Sequence, residues 1–177
     1  LHVCDQNLEQ IEPIKITNTH NLLVDVCQAA KFEGESLTRY RGKYQAKYGD
    51  SPSQLCTVLA RSFADIGDII RRRDLYRGND EEKKKREDLE NKLKEIFKNI
   101  KNENTELSTL TTEEVREYWW YANRATVWKA ITCKANGTYF RPTCGDSGSP
   151  SQAQNQCRCA ANIDPPTYFD YVPQYLR

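Results

Sequence analysis

No window of the 177 residues approaches 18 consecutive apolar side chains, so no segment reads as a helix that crosses a bilayer. Charge of one sign is also missing, because 26 Lys and Arg stand against 25 Asp and Glu for a net +1. That balance excludes a global basic field of the kind that draws in nucleic acid, and any polyanion site has to be a local patch. Histidine is scarce: His2 and His20 both lie in poorly patterned stretches, and no nucleophile elbow, phosphate-binding loop or HExxH motif occurs. Catalysis is therefore not expected, and neither is a cofactor. The opening LHVCDQNLEQ has neither the charged start nor the apolar run of a signal peptide, and there is no internal repeat.

Cysteine, by contrast, is plentiful. Cys4, Cys27, Cys56, Cys133, Cys144, Cys157 and Cys159 are many for a reducing cytosol and favour an oxidising compartment with disulfides. Their odd number leaves at least one without a partner in this chain, which predicts a fragment of something longer. Cys157 and Cys159 are one residue apart and cannot easily bond each other without strain, so each is expected to bond elsewhere. Joining them to Cys133 and Cys144 around zinc does not fit the usual doubled pairs of structural sites, so no metal is expected.

The apolar pattern is helical. Leu22, Val26, Ala29 and Ala30 predict a short helix over 21–32 with Gly34 as its stop, and Leu37, Tyr40, Tyr44 and Tyr48 continue at helical spacing until Gly49 and Pro52. Ser51-Pro52-Ser53-Gln54 reads as a capping box opening a helix whose stripe runs through Leu55, Cys56, Leu59, Ala60, Phe63, Ile66, Gly67 and Ile70. From Asp80 to Asn104 charges alternate around one narrow apolar edge, Leu89, Leu93, Ile96, Phe97 and Ile100, which predicts a long and mostly exposed helix. Thr111-Thr112-Glu113-Glu114 is a second capping box. The helix after it holds all three tryptophans, with Val115, Tyr118, Trp119, Ala122 and Thr126 on one side and Trp120, Val127 and Ile131 on another, which predicts burial around most of its circumference. Residues 134–166 are rich in Gly, Ser, Pro, Asn and Gln and read as a structureless loop held by disulfides. The ending DPPTYFDYVPQYLR reads as an extended lead into another helix. The fold class expected is mainly α: a disulfide-linked helical bundle with long irregular loops, centred on the helices near 53–72 and 112–133.

Five ordered strings carry a family likeness: LHVCDQNLE at 1–9, LLVDVCQAAKFEG at 22–34, LCTVLARSFADIGDII at 55–70, YWWYANRATVWKAITC at 118–133 and YFDYVPQYLR at 168–177. Together they resemble the alpha-class Duffy-binding-like domain of the malaria parasite's erythrocyte membrane protein 1. Arg72 departs from the family's DIIRGRD pattern, where glycine is common, and Glu117-Tyr118 replaces an acidic residue directly before the tryptophan pair. The resemblance implies a partial domain: 1–52 as the end of a first subdomain with entry helices, 53–133 as the helical core of the second, and 134–177 as a Cys-rich loop and the start of the third. It also implies an adhesion module outside the infected erythrocyte, anchored in the membrane only through the remainder of its chain. Its partners would be host receptors such as complement receptor 1, heparan-sulfate-like or blood-group glycans, and antibodies, in rosetting and cytoadherence. A structural spacer that positions a neighbouring binding module is the alternative.

Three basic clusters are candidate glycan contacts, and each has a plainer reading. Arg39, Arg41, Lys43 and Lys47 lie in a run without acidic residues from Ser36 to Gly49, where cations one turn apart could meet several sulfates, or could simply be the solvated flank of a core tyrosine stripe. Arg71, Arg72, Arg73 and Arg77 follow the strongest helix, where guanidinium groups can fork onto sulfate or carboxylate but where the helix dipole favours cations in any case. Lys83, Lys84, Lys85 and Arg86 form a short basic run whose field Glu81, Glu82, Glu87 and Asp88 largely cancel. Asn136-Gly137-Thr138 is a formal glycosylation acceptor that also reads as a turn.

Overall fold

A computed structural model describes residues 19–48, 52–74, 78–133, 139–144, 151–153, 157 and 165–177, with side chains except for 41–48, 52–54, 139–144 and 151–153. Four helices dominate these residues: α1 (Thr19–Tyr48), α2 (Pro52–Arg71), α3 (Asp80–Glu103) and α4 (Thr112–Ile131). One cluster of buried side chains joins all four, from Leu22 and Val26 through Phe63, Ile66 and Ile70 to Leu93, Phe97, Trp120 and Trp128. The mainly helical bundle expected from periodicity is thus present, with α1 as a full member of it.

Helix starts follow local chemistry. Asn79 caps α3 by accepting the Glu82 backbone N–H at 2.9 Å, and Asp80, Glu81 and Glu82 put negative charge where the helix dipole is positive. Thr111 caps α4 by accepting the Glu114 N–H at 3.2 Å, as its capping box predicts. In α3 the buried residues are the five of the predicted apolar edge.

Several expectations are corrected. Gly34 does not stop a helix, because α1 runs unbroken for 30 residues. It sits where the α1 backbone meets the end of α4, and a Cβ at Gly34 would lie 1.9 Å from the Ile131 carbonyl oxygen. Tertiary approach here outweighs the penalty of about 1 kcal/mol that glycine carries inside a helix. The tyrosine stripe is not simply core, since Tyr40 is 66% exposed. In α4, Tyr118, Ala122 and Thr126 face solvent, while the buried face is Val115, Arg116, Trp119, Trp120, Arg124, Val127, Trp128 and Ile131. Within 134–166, read as structureless, β1 (Tyr139–Cys144) and β2 (Ser151–Ala153) pair antiparallel with a shift of register. The final segment forms two 3-10 turns, Phe169–Tyr171 and Gln174–Leu176, in place of the start of a helix.

One disulfide, Cys56–Cys157, ties α2 to the far side of the sequence and is buried beneath Trp128, whose indole N–H donates to the Cys157 carbonyl at 3.0 Å. Cys27 and Cys133, expected among the disulfide partners, are free thiols. Burial pushes the Cys27 thiol up to about 11, which keeps it protonated and unreactive near neutral pH. The side chain of Cys144 and all of Cys4 and Cys159 lie outside the described residues.

Candidate binding surface

The C-terminal end of α2 closes in a Schellman turn. Arg73 N–H donates to the Asp68 carbonyl at 2.7 Å and Arg72 N–H to that of Ile69 at 3.3 Å, which places Arg72 at the first position beyond the helix with φ of 59°. Glycine takes this conformation freely, whereas an L side chain is strained in it. Arg116 of α4, wholly buried, donates Nε to the Ile70 carbonyl at 2.5 Å, adds Nη2 as a second donor to Ile69 O at 3.1 Å, and forks onto the Glu90 carboxylate of α3 at 2.6 and 3.0 Å. Three helices therefore meet in one guanidinium, which also lies over the Phe97 ring.

This turn carries the second basic cluster outward, but unevenly. Arg71 is turned inward: Nε donates to Gly67 O at 3.0 Å, Nη2 donates to the Asp170 carbonyl and to Asp68 at 3.4 Å, and its guanidinium lies over the Trp120 and Tyr171 rings. Arg72 and Arg73 project, with side chains 55% and 63% exposed; Arg72 stands 3.7 Å from Glu90, and Arg73 is held at 2.6 Å by Glu117. Arg77 lies outside the described residues.

Two shallow clefts flank Arg72. One, of about 240 Å³, is lined by Arg72 with Asp74, Lys83, Arg86, Glu87 and Glu90, so the second and third basic clusters converge although Arg72 and Lys83 are 11 positions apart in sequence. Arg86 is half-buried there against Asp74 at 2.7 Å, whereas Lys83, Lys84 and Lys85 are exposed. The other, of about 410 Å³, lies between Arg72, Arg73 and Glu117 and the tail residues Tyr171, Pro173 and Tyr175. Cations and carboxylates are matched in both, so a ligand would meet directional hydrogen bonds and little net field. Arg39 is exposed on α1, and the side chains of Arg41, Lys43 and Lys47 lie outside the described ones.

The floor of the larger cleft is a buried ionic hub that residue patterns alone did not disclose. Arg124 donates Nε and Nη2 to the two Asp170 oxygens at 2.7 and 2.9 Å and Nη2 to Thr167 O at 2.6 Å, while Trp120 Nε1 donates to Asp170 at 2.9 Å. Burial alone would lower the Arg124 pKa, but the hydrogen bonds and charge of Asp170 outweigh it and hold the guanidinium above its usual value. The spacing of Arg116, Trp120 and Arg124, four residues apart on one face, was the available signal: arginines in register with a core tryptophan. Beside the hub, Arg177 reaches back to Asp68 and to Asp65 at 3.3 Å. Burial, with Asp68 and Asp74 nearby, pushes the Asp65 carboxyl up to about 6 against the opposing pull of Arg177. Among the described residues no three His, Cys, Asp or Glu come together as a metal site, and no helix is long and apolar enough to cross a membrane.

Comparison with known proteins places this surface in context. The family described as the Duffy binding domain matches residues 1–177. Among solved structures, the NTS-DBL1(alpha-1) domain of Plasmodium falciparum membrane protein 1 (PfEMP1), varO strain, is similar with 35% identity and a TM-score of 0.79, over 99% of this chain and 40% of that one. A double domain of the same strain's protein, NTS-DBL1-alpha with CIDR-gamma, is 34% identical with a TM-score of 0.77, over 98% of this chain and 25% of that one. A PfEMP1 DBLbeta domain bound to ICAM-1 is 26% identical with a TM-score of 0.65, over 99% of this chain and 40% of that one. No curated protein matches.

Proposed function

Because the chain belongs to the Duffy binding domain family, we propose that it is part of an adhesion module that docks on host-cell receptors and catalyses no reaction. The single observation that carries this reading is the likeness, over nearly the whole chain, to a PfEMP1 domain captured with ICAM-1. In this proposal the module stands on the outer face of the infected erythrocyte, held by chain beyond these residues. Residues 1–52, 53–133 and 134–177 are then the end of one subdomain, the core of a second and the start of a third.

The contact surface proposed is the turn at Arg72 and Arg73 with the clefts beside it, and a sulfated or blood-group glycan is the finer ligand class. Arg72 leads: its side chain is 55% exposed and its partner Glu90, 3.7 Å away, is already held by Arg116, so an incoming sulfate displaces only a long, weak contact. Arg73 is more firmly engaged by Glu117 at 2.6 Å. Arg39, Arg41, Lys43 and Lys47, with Lys83, Lys84 and Lys85, are candidate outer contacts.

The test is attachment of the intact domain to red cells and to a glycan array, with heparin as competitor. Arg72→Ala is expected to weaken attachment about tenfold, or about 1.4 kcal/mol, and more than Arg73→Ala does. Replacing Arg39, Lys43 and Lys47 together by alanine is expected to lower heparin retention and flatten its salt dependence with helicity intact, and unchanged retention removes that stripe. A folded domain that attaches to neither cells nor glycans makes the chain a spacer that positions a neighbouring module.

A further inference from the structure

The covalent and ionic ties to α2 are ordered along the chain in a way that bears on tension. Cys157 is bonded to Cys56 near the start of α2, across a sequence separation of 101. Beyond it, the described tail residues are strapped to the bundle by hydrogen bonds and ion pairs at two points: Asp170 with Arg124 and Trp120, and Arg177 with Asp65 and Asp68. Everything that builds the turn at Arg72, namely α3, α4 and α2 beyond Cys56, lies inside the loop closed by the disulfide.

We propose that Cys56–Cys157 is a mechanical bypass and the tail strap its yielding element: a pull between the two ends of the chain passes through the sulfur–sulfur bond, and the turn that carries Arg72 and Arg73, inside the disulfide loop, is spared the tension that the tail wall of the larger cleft takes. Force applied at Arg177 loads the Arg177 ion pairs first and the Asp170 hub second, then reaches Cys157, where the covalent bond takes the load directly to Cys56. Hydrogen bonds and ion pairs yield under loads a disulfide survives, so peeling stops there. Only the 55 residues before Cys56 and the 20 after Cys157 can lengthen. The purpose of such a bypass rests on the adhesion reading, since a module joining two cells carries load along its chain, but its mechanics do not depend on any receptor.

Single-molecule pulling on the oxidised chain, with handles at residues 1 and 177, tests this without a ligand, so its failure is distinct from a failure to bind. Fully extended chain spans at most about 3.6 Å per residue, so the oxidised protein is expected to release no more than about 270 Å, including a separate tail step of about 70 Å. Adding reductant to the tethered protein is expected to raise the limit by about 360 Å, the length of the loop. Asp170→Asn is expected to lower the force of the tail step and leave the oxidised limit unchanged. Release beyond about 270 Å while oxidised, or a tail-step force indifferent to Asp170, overturns the proposal. Should the variant fail to fold, the limit measured on the unaltered protein still decides.

Discussion

Arg72 holds a backbone conformation suited to glycine while its exposed side chain gains little from a partner 3.7 Å away. Arg72→Gly is therefore expected to stabilise the fold by about 0.5–1 kcal/mol, read as a shift in the urea midpoint with an unchanged slope. The same change removes the leading cation of the proposed contact surface, so gained stability and lost attachment would travel together. Asp65 makes a pH-dependent statement. Its folded pKa, about 6, is raised above the ordinary 3.8, chiefly by burial, so the folded state binds more protons than the unfolded one between about pH 4 and 6. Its contribution to stability falls as pH rises through that window, and the penalty is complete above it. Asp65→Asn is expected to remove this downward slope and to be more stable than the parent near pH 7.5, checked by denaturation across pH. Neither residue's behaviour was legible beforehand. The DIIRGRD comparison marked Arg72 as unusual, but the reason, a left-handed position in a Schellman turn, is a property of the backbone after α2 has ended.

At the scale of elements, apolar spacing and caps were enough wherever an element meets its surroundings through one face. Helix α3 is the clear case, its five buried residues being those of its narrow apolar edge. Helix α4 was harder, because two of its inward positions are arginines and three small or aromatic residues assigned inward face solvent. Periodicity counts apolar side chains and cannot register a guanidinium whose donors are taken up by helix-end carbonyls and carboxylates. Gly34 misled for a related reason: glycine marks a helix stop or a close approach, and only the position of α4 decides which. Gly34→Ala drives a methyl group against backbone that cannot give way, with an expected loss of about 3 kcal/mol and a fall in Tm of about 6–12 °C by thermal denaturation.

For the molecule as a whole, the oxidising environment inferred from cysteine content has a thermodynamic counterpart. Closing a loop of about 100 residues removes unfolded-chain entropy worth about 4.7 kcal/mol in the loop-closure account, so reduction of Cys56–Cys157 is expected to lower stability by a comparable amount, checked by chemical denaturation with and without reductant. That is a large share of the 5–15 kcal/mol typical of a domain. The free thiols of Cys27 and Cys133 contribute nothing of this kind.

What the sequence determined by itself was largely local or periodic: the helices α2, α3 and α4, the cap of α4 at Thr111, which apolar edge of α3 is buried, and the ordered strings that mark the family, while the capping box at Ser51 lies outside the described residues. What only tertiary structure decided was where charge goes. Arg71, Arg72 and Arg73 are adjacent in sequence, yet one is sealed against Asp68, Trp120 and Tyr171 while the other two reach solvent, and Arg72 joins Lys83 at a cleft only because α2 and α3 meet there. The physical reason is that apolar burial is additive along an element and repeats with its pitch, whereas a buried charge is tolerated only where several elements bring donors and acceptors to the same point.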